Sequence, residues 1–370
     1  MPSAGNPHAH LAETDRSAET LSQFLSRVLD QLSLAAWLPA GALVLTISFL
    51  VQLAAATGRV DRAGRAPSVV EALQGALDSL SNTSLGGGAL LLGAVIVVTM
   101  ITQAFSFETI RTFEGYWGPG KSREFLADVR CRRHEGRLVR LEERVADLKQ
   151  RIWSAAESRL LAENRSQQER DLRPPYPEKV LVAARSYYLG SGPKKHKLGS
   201  KQRELVERLL QGGQLERLAD VRHVRRLRRL EYRLEDFPEE MSVLPTSLGN
   251  VLRHWEDLTQ ERDIEPFVEK HFHLLPRSLQ VTHDQRRTRL DLYCSMVVVA
   301  LLSGIVGLLL LLTVDGFPIV VAGLAVAFAW LNYRAAVSSA RAYGPVLELI
   351  VDFVEDLDVF TPEEAAQTAS

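Results

Sequence analysis

Between Leu34 and Ala56 the chain reads LAAWLPAGALVLTISFLVQLAAA, with no charged side chain in the run. About 20 apolar residues in helical form are what it takes to cross the hydrocarbon core of a bilayer. The run begins too far from Met1, lacks a strongly basic lead and is too long for the core of a signal peptide, so it reads as a spanning helix, 34–56. A second run, 85–105 (LGGGALLLGAVIVVTMITQAF), and a third, 293–314 (YCSMVVVALLSGIVGLLLLLTV), have the same character. A fourth, 317–331 (FPIVVAGLAVAFAWL), is shorter, and Trp330 and Tyr333 near its end suit an interfacial aromatic belt. Only Asp315 and Gly316 separate spans three and four, with Pro318 just beyond, and so short a turn joins antiparallel neighbours. Backbone groups in lipid must be satisfied internally, so each run is a helix and the pair a hairpin.

The expected fold is therefore an all-α integral membrane protein, with four transmembrane helices in two pairs flanking a helical, partly coiled-coil cytoplasmic domain. Its divisions are an N-terminal segment 1–33, span one, an external loop 57–84 with a short amphipathic helix, and span two at 85–105. A basic helical domain 106–290 follows, then spans three and four and a C-terminal tail 332–370. Four spans place both termini and the middle domain on one side. Arg111, Lys121 and Arg123 follow span two, Arg286, Arg287 and Arg289 precede span three, and Arg334 and Arg341 follow span four. The positive-inside rule makes that side the cytoplasm, beneath the plasma (inner) membrane. Arg59, Arg62 and Arg65, partly offset by Asp61, pull the other way from the outer loop.

Composition matters because it is unevenly spread. Between Ser106 and Leu290 lie 37 of the 44 Lys and Arg against 29 of the 45 acids, so a formal net charge of −1 conceals a middle domain carrying an excess of eight positive charges. Cys131 and Cys294 are too far apart in sequence for a zinc spacing and fit no disulfide framework. None of the spans holds an ionisable residue in its interior, which weakens ion-coupled transport. Gln52, Gln103, Thr99, Thr102 and Ser303 read as interhelical hydrogen-bonding groups. Gly304, Gly307 and Gly86 to Gly88 read as places where helices approach closely, within one chain or between copies.

In the middle domain Leu138, Leu141, Val145, Leu148 and Ile152 recur in alternating steps of three and four, a heptad seam on a helix of about 121–172. Its partner is another helix of the chain or a second subunit, and the sequence leaves both open. The Arg173-Pro174-Pro175-Tyr176-Pro177 stretch ends that helix, and Val180–Leu189 reads as a further short one. The most charged helix, 214–237, sets Arg222, Arg225, Arg226, Arg228, Arg229 and Arg233 around an apolar line of Leu218, Val221, Val224, Leu227 and Leu234. Beneath an anionic membrane these arginines, with Lys194 and Lys195 of the Gly190–Lys197 loop, are candidates for contact with lipid headgroups or a partner. Pairing with Glu231, Glu235, Asp236 and Glu239 is the plainer reading of the helix.

Catalytic signatures are missing. The Gly190–Lys197 loop does not have Walker spacing, and no Gly-x-Ser-x-Gly elbow, HExxH motif or dinucleotide fingerprint occurs. His271 and His273, with Glu269, and the His283-Asp284 pair form the one cluster of metal-ligating or acid-base type, but on a helix the two alternate histidines point apart. No catalytic residue, metal or cofactor is assigned.

Three stretches resemble a family of uncharacterised multi-span membrane proteins common in actinobacteria. They are Phe113-Glu114-Gly115-Tyr116-Trp117-Gly118, Leu244-Pro245-Thr246-Ser247-Leu248-Gly249-Asn250-Val251-Leu252-Arg253 with Glu256-Asp257, and Ala342-Tyr343-Gly344 followed by Asp352. The resemblance covers span two to the C-terminus and implies the same order of two spans, a cytoplasmic domain and a hairpin; it implies no activity. The segment after Asp257 departs from the family's Tyr-Gly and Trp-Pro-Arg-rich version. Read physically, Tyr116 and Trp117 are interfacial anchors alongside Trp330 and Tyr333. Pro245 sets a turn before a helix that starts near Thr246 or Ser247, and Asn250 pins a neighbouring loop. Glu114, Gly115, Leu244, Pro245 and Gly249 carry no assigned role beyond the motif.

The function expected from the sequence is a membrane scaffold or signalling protein whose basic domain binds a protein partner or the anionic membrane face. An oligomeric pore is the alternative, and a membrane-bound enzyme comes after that. Expected partners are the lipid bilayer, a second copy through transmembrane or heptad helices, and a cytoplasmic protein. Nucleic acid is not expected, because the basic residues are not interleaved with stacking aromatics.

Overall fold

The structure is a computed structural model that describes residues 34–57, 68–82, 84–170, 176–190, 199–238, 243–259, 264–312 and 317–359. Lys194 and Lys195, Arg59, Arg62 and Arg65, Asp315 and Gly316, and the terminal segments lie outside them. The described residues are helical, with no strand among them. Two compact units emerge: one comprises the chain up to Trp117 and from Leu258 onward, the other Gly118–Asp257.

The first unit holds α1 (Leu34–Thr57), α2 (Val69–Ser81), α3 (Leu85–Ala104), α4 (Ser106–Glu114), α11 (Ile264–His271), α12 (Arg277–Leu310) and α13 (Phe317–Val359). Four of its helices, α1, α3, α12 and α13, are long and apolar enough to cross a membrane. Helix α12 packs against both α1 and α13. The approach is close because glycine faces it: a methyl group on Gly304 would come within 2.6 Å of the Ala325 Cβ, and one on Gly307 within 2.6 Å of the Val321 Cγ1. The Gly86–Gly88 stretch of α3 shows no such approach: a Cβ on Gly86 meets only Ser84 Oγ of its own cap at 4.0 Å, and one on Gly88 meets nothing within 4 Å.

Ser68 caps α2 in a reciprocal box with Glu71, which satisfies two backbone donors at the helix start. Gly75 sits beside Ala56, and Ser79 Oγ donates to Gln52 Oε1 at 2.9 Å. Helix α2 therefore runs antiparallel along the last turns of α1, where Ala72 and Ala76 join Leu50, Leu53 and Leu311 in a buried cluster.

One boundary differs from expectation. The C-terminal segment from 332 is no separate tail, because α13 continues without a break to Val359 and carries Pro345 in its interior. Forty-three residues make a helix about 65 Å long at 1.5 Å per residue, roughly twice what a bilayer core requires. Ala336, Ala340, Tyr343, Leu347, Ile350 and Val354 are all buried and recur in steps of four and three, so packing along one face outweighs the single donor that proline removes.

The second unit is built on α5 (Lys121–Gln168), 48 residues or about 72 Å of helix. Near its C-terminal end, Trp153, Ala156 and Leu160 pack with Val180 and Leu181 of α6 (Glu178–Tyr188), Val206 and Leu209 of α7 (Ser200–Leu210) and Leu215 of α8 (Gln214–Leu218). Asn164 closes that end, donating to the Tyr176 carbonyl at 2.6 Å and accepting from its N–H at 3.1 Å. The heptad residues Val145, Leu148 and Ile152 pack against Val224, Leu227 and Leu230 of α9 (Val221–Leu234), so the partner left open by the sequence is a helix of the same chain.

The charged helix expected over 214–237 is two helices. The chain breaks at Ala219 and Asp220, and the Asp220 carboxylate accepts from the Arg222 N–H at 2.8 Å to cap α9. The apolar line shifts accordingly: Val221 is 60% exposed and Leu230 is buried in its stead. Helix α10 (Ser247–Thr259) completes the unit.

Candidate functional site

Two groupings stand out, one in each unit. On α9, Val224, Leu227 and Leu230 are buried against α5, while Arg222, Arg225, Arg226, Arg229 and Arg233 are all exposed. At 3.6 residues per turn those five arginines fall in a sector of about 100°, opposite the buried line, and form a ridge about 16 Å long. Of the acids expected to pair with them, Glu231 turns to another helix and Glu239 lies outside the described residues. Glu231 pairs with Lys149 at 3.2 Å, and Arg228, off the ridge, pairs with Glu216 at 2.6 Å. None of the five ridge arginines forms an ion pair among the described residues. Arginine offers a planar fork of donors matched to carboxylate or phosphate, and the row presents five of them to solvent.

The second grouping was only partly visible in the sequence. Where α12 and α13 meet outside the apolar run, the Tyr343 hydroxyl lies 2.8 Å from His283 Nε2, and His283 Nδ1 lies 3.2 Å from the Asp284 carboxylate. The Arg287 guanidinium lies near the same tyrosine and pairs with Glu265 of α11. Asp291 follows one turn along α12, with Oδ1 buried and without a hydrogen-bond partner among the described residues. His283 was singled out by its histidine neighbours, yet the structure sends those elsewhere. His271 Nδ1 lies 2.9 Å from the Phe267 carbonyl, and no group of three or more potential ligands that could hold a metal occurs among the described residues. The recurrence of His283, Arg287 and Asp291 at intervals of four was the signal that marks one helix face.

The motif residues find structural work. Gly115 has φ 109°, a left-handed conformation that glycine adopts freely, and it ends α4. The Tyr116 N–H donates to the Arg111 carbonyl at 2.9 Å, the Trp117 indole N–H donates to the Thr112 carbonyl at 2.9 Å, and the Arg111 guanidinium lies 5.5 Å from the Tyr116 ring centroid. Glu114 is the last residue of α4. Asn250 pins Leu244 from both sides, accepting from its N–H at 2.6 Å and donating to its carbonyl at 3.0 Å. The Thr246 hydroxyl, just after Pro245, accepts from the Gly249 N–H at 3.0 Å and starts α10. Of the anchor residues at the other end, Trp330 is 58% exposed with Arg334 stacked over its ring, whereas Tyr333 turns inward against Phe113.

Of the span polar groups, Gln52 accepts from Ser79 Oγ of α2, Ser303 Oγ is buried with no hydrogen-bond partner among the described residues, and the two threonines bond within α3. Thr99, fully buried, donates to the Val95 carbonyl at 2.7 Å, and Thr102 donates to the Thr99 carbonyl at 3.0 Å. Both cysteines are free. Burial, then Glu135 and Asp128, push the Cys131 thiol up, which disfavours the reactive thiolate. Comparison with protein-family models, with curated proteins and with solved structures gave no match.

Proposed function

We propose that this chain is a membrane-anchored docking protein whose α9 arginine ridge captures an acidic protein partner on the cytoplasmic side of the plasma membrane. The observation that carries the reading is the ridge: five exposed arginines in one sector, with no ion pair among the described residues, on a helix whose opposite face is buried. The cytoplasmic placement rests on the Lys and Arg that flank spans two, three and four. The ridge sector holds no apolar side chain to insert into lipid, which favours the carboxylates of a protein over a bilayer. Thr99 and Thr102 spend their hydroxyls on carbonyls of their own helix, which favours the scaffold reading over the pore.

The test uses full-length protein in nanodiscs of zwitterionic lipid, titrated with a fluorescent poly-glutamate peptide. Wild type binds, with affinity falling steeply as salt rises, and a variant carrying R222Q, R225Q, R226Q and R229Q binds at least about tenfold more weakly. Equal binding by wild type and variant, or no binding by either, removes the proposal.

A further inference from the structure

Helix α5 carries a second outward strip, at its other end and of a different composition. Phe125 is 71% exposed, Leu126 50% and Val129 47%, although a helix inside a water-soluble unit ordinarily turns such residues inward. Read at 3.6 residues per turn, the three share one sector of about 100°. The same side continues along the helix as Arg133, Arg137, Arg140 and Arg144, all exposed. Glu124, Asp128, Glu135 and Glu142 gather on a different flank, and Glu143 falls in line with Phe125 five turns further on. The buried residues His134, Leu138, Val145 and Ile152 lie on the side turned away from the strip.

An apolar patch of bulky side chains followed by a row of arginines is the composition of a helix that lies in the interface plane of an anionic bilayer: the rings and branches enter the acyl boundary while the guanidinium groups meet lipid phosphates. The chain brings the strip there by covalent connection, since only α4 and a short link separate it from the end of α3 at Ala104. Gly118 and Gly120 in that link have φ 70° and 157°, values that glycine adopts freely. We infer that the first six turns of α5 form an in-plane membrane helix, docked on anionic lipid headgroups through Phe125, Leu126 and Val129 and the arginines that follow.

One consequence ties this strip to the rest of its unit. Helix α9 packs on the buried side of α5, and its arginine ridge points away from α5. A bilayer bound on the α5 strip therefore leaves the ridge facing away from lipid. The two surfaces address different partners.

The experiment places an environment-sensitive fluorophore on cysteine at position 125 (F125C) or, as the comparison, at position 142 (E142C), with Cys131 and Cys294 replaced by serine. The full chain is reconstituted at one copy per nanodisc, in phosphatidylcholine alone or with phosphatidylglycerol, with and without lipids bearing an acyl-chain quencher. At position 125, anionic lipid shifts the emission to the blue and quenching is at least about twofold stronger than at position 142. Replacing Arg133, Arg137, Arg140 and Arg144 by glutamine abolishes that difference. Water-like, unquenched emission at position 125 in both lipids overturns the inference. So does a blue shift seen only when discs hold two copies, which assigns the strip to a second chain. Poly-glutamate binding is measured on the same samples and is unchanged by R133Q, R137Q, R140Q and R144Q, so failure here is distinguishable from failure of the docking ridge.

Discussion

The Tyr343 hydroxyl and His283 Nε2 meet at 2.8 Å in a buried hydrogen bond between residues 60 positions apart in the chain. It joins α12 to α13 beyond the apolar runs, where packing of glycine against alanine no longer holds the hairpin together. Removing one partner leaves the other buried and unpaired, which costs about 1–3 kcal/mol. Tyr343→Phe is therefore expected to lower the thermal midpoint of the detergent-solubilised protein by several degrees. Tyr232→Phe, at a tyrosine 57% exposed, is the comparison and leaves the midpoint in place. Equal midpoints for both variants and wild type remove the bond from any structural account.

Gly304 gives a sharper test of close packing. A Cβ there comes within 2.6 Å of the Ala325 Cβ, a distance real side chains do not keep, so Gly304→Ala must push α12 and α13 apart. Overpacking of this kind costs about 1–3 kcal/mol. Gly88→Ala meets nothing within 4 Å and removes a poor helix former, so its effect is neutral to stabilising. Adding Ala325→Gly to Gly304→Ala reopens the space and restores the midpoint. If the double variant unfolds as early as the single one, the contact is not what makes alanine unwelcome.

The length and charge of the four apolar runs carried most of the first unit, because lipid admits few alternatives to a helix and the runs are uninterrupted. The heptad seam was equally plain from Leu138 to Ile152, but periodicity names a face and never the helix that covers it. The same limit explains α13. Ala336, Ala340, Tyr343, Leu347, Ile350 and Val354 have the spacing of a buried stripe, yet Pro345 in its midst and Asp352 and Glu355 beside it suggest a loose tail until neighbouring helices are seen to cover it. On α9 the arginines were legible and their partners were not: Glu231 is near in sequence but turns to Lys149 on another helix. The Tyr343 to His283 contact joins residues too distant in sequence for any local pattern to reveal.

Asn250 carries two bonds to one residue, accepting from the Leu244 N–H and donating to the Leu244 carbonyl. It is 1% exposed, so neither backbone group has water to fall back on when the amide is removed. Asn250→Ala is expected to cost about 2–3 kcal/mol. Asn250→Asp keeps the acceptor and loses the donor, so it falls between wild type and alanine. Hydrogen exchange of the Leu244 amide reads this directly: protection drops in the alanine variant and persists in the aspartate variant. Unchanged protection in Asn250→Ala contradicts the assignment.

His134 sets a dependence on pH. It is buried on α5 at 5% exposure, its Nδ1 has no hydrogen-bond partner among the described residues, and its ring centroid lies 6.2 Å from that of Phe237. Burial, with Arg137, Arg130 and Arg133 nearby, lowers its pKa from the usual 6.5 to about 4. The unfolded chain therefore takes up a proton as pH falls below 6.5 while the folded chain does not, and stability is lost between pH 6.5 and 4. The full shift corresponds to roughly 3 kcal/mol, and screening by nearby water reduces this to about 1–2 kcal/mol. Denaturant unfolding of the full chain followed by hydrogen exchange of α5 amides at pH 7 and pH 5 measures the loss. Carboxylates also titrate near the lower value, so the decisive quantity is the difference from His134→Leu, in which the acid-side slope flattens. Parallel slopes in wild type and variant exclude the histidine as its source.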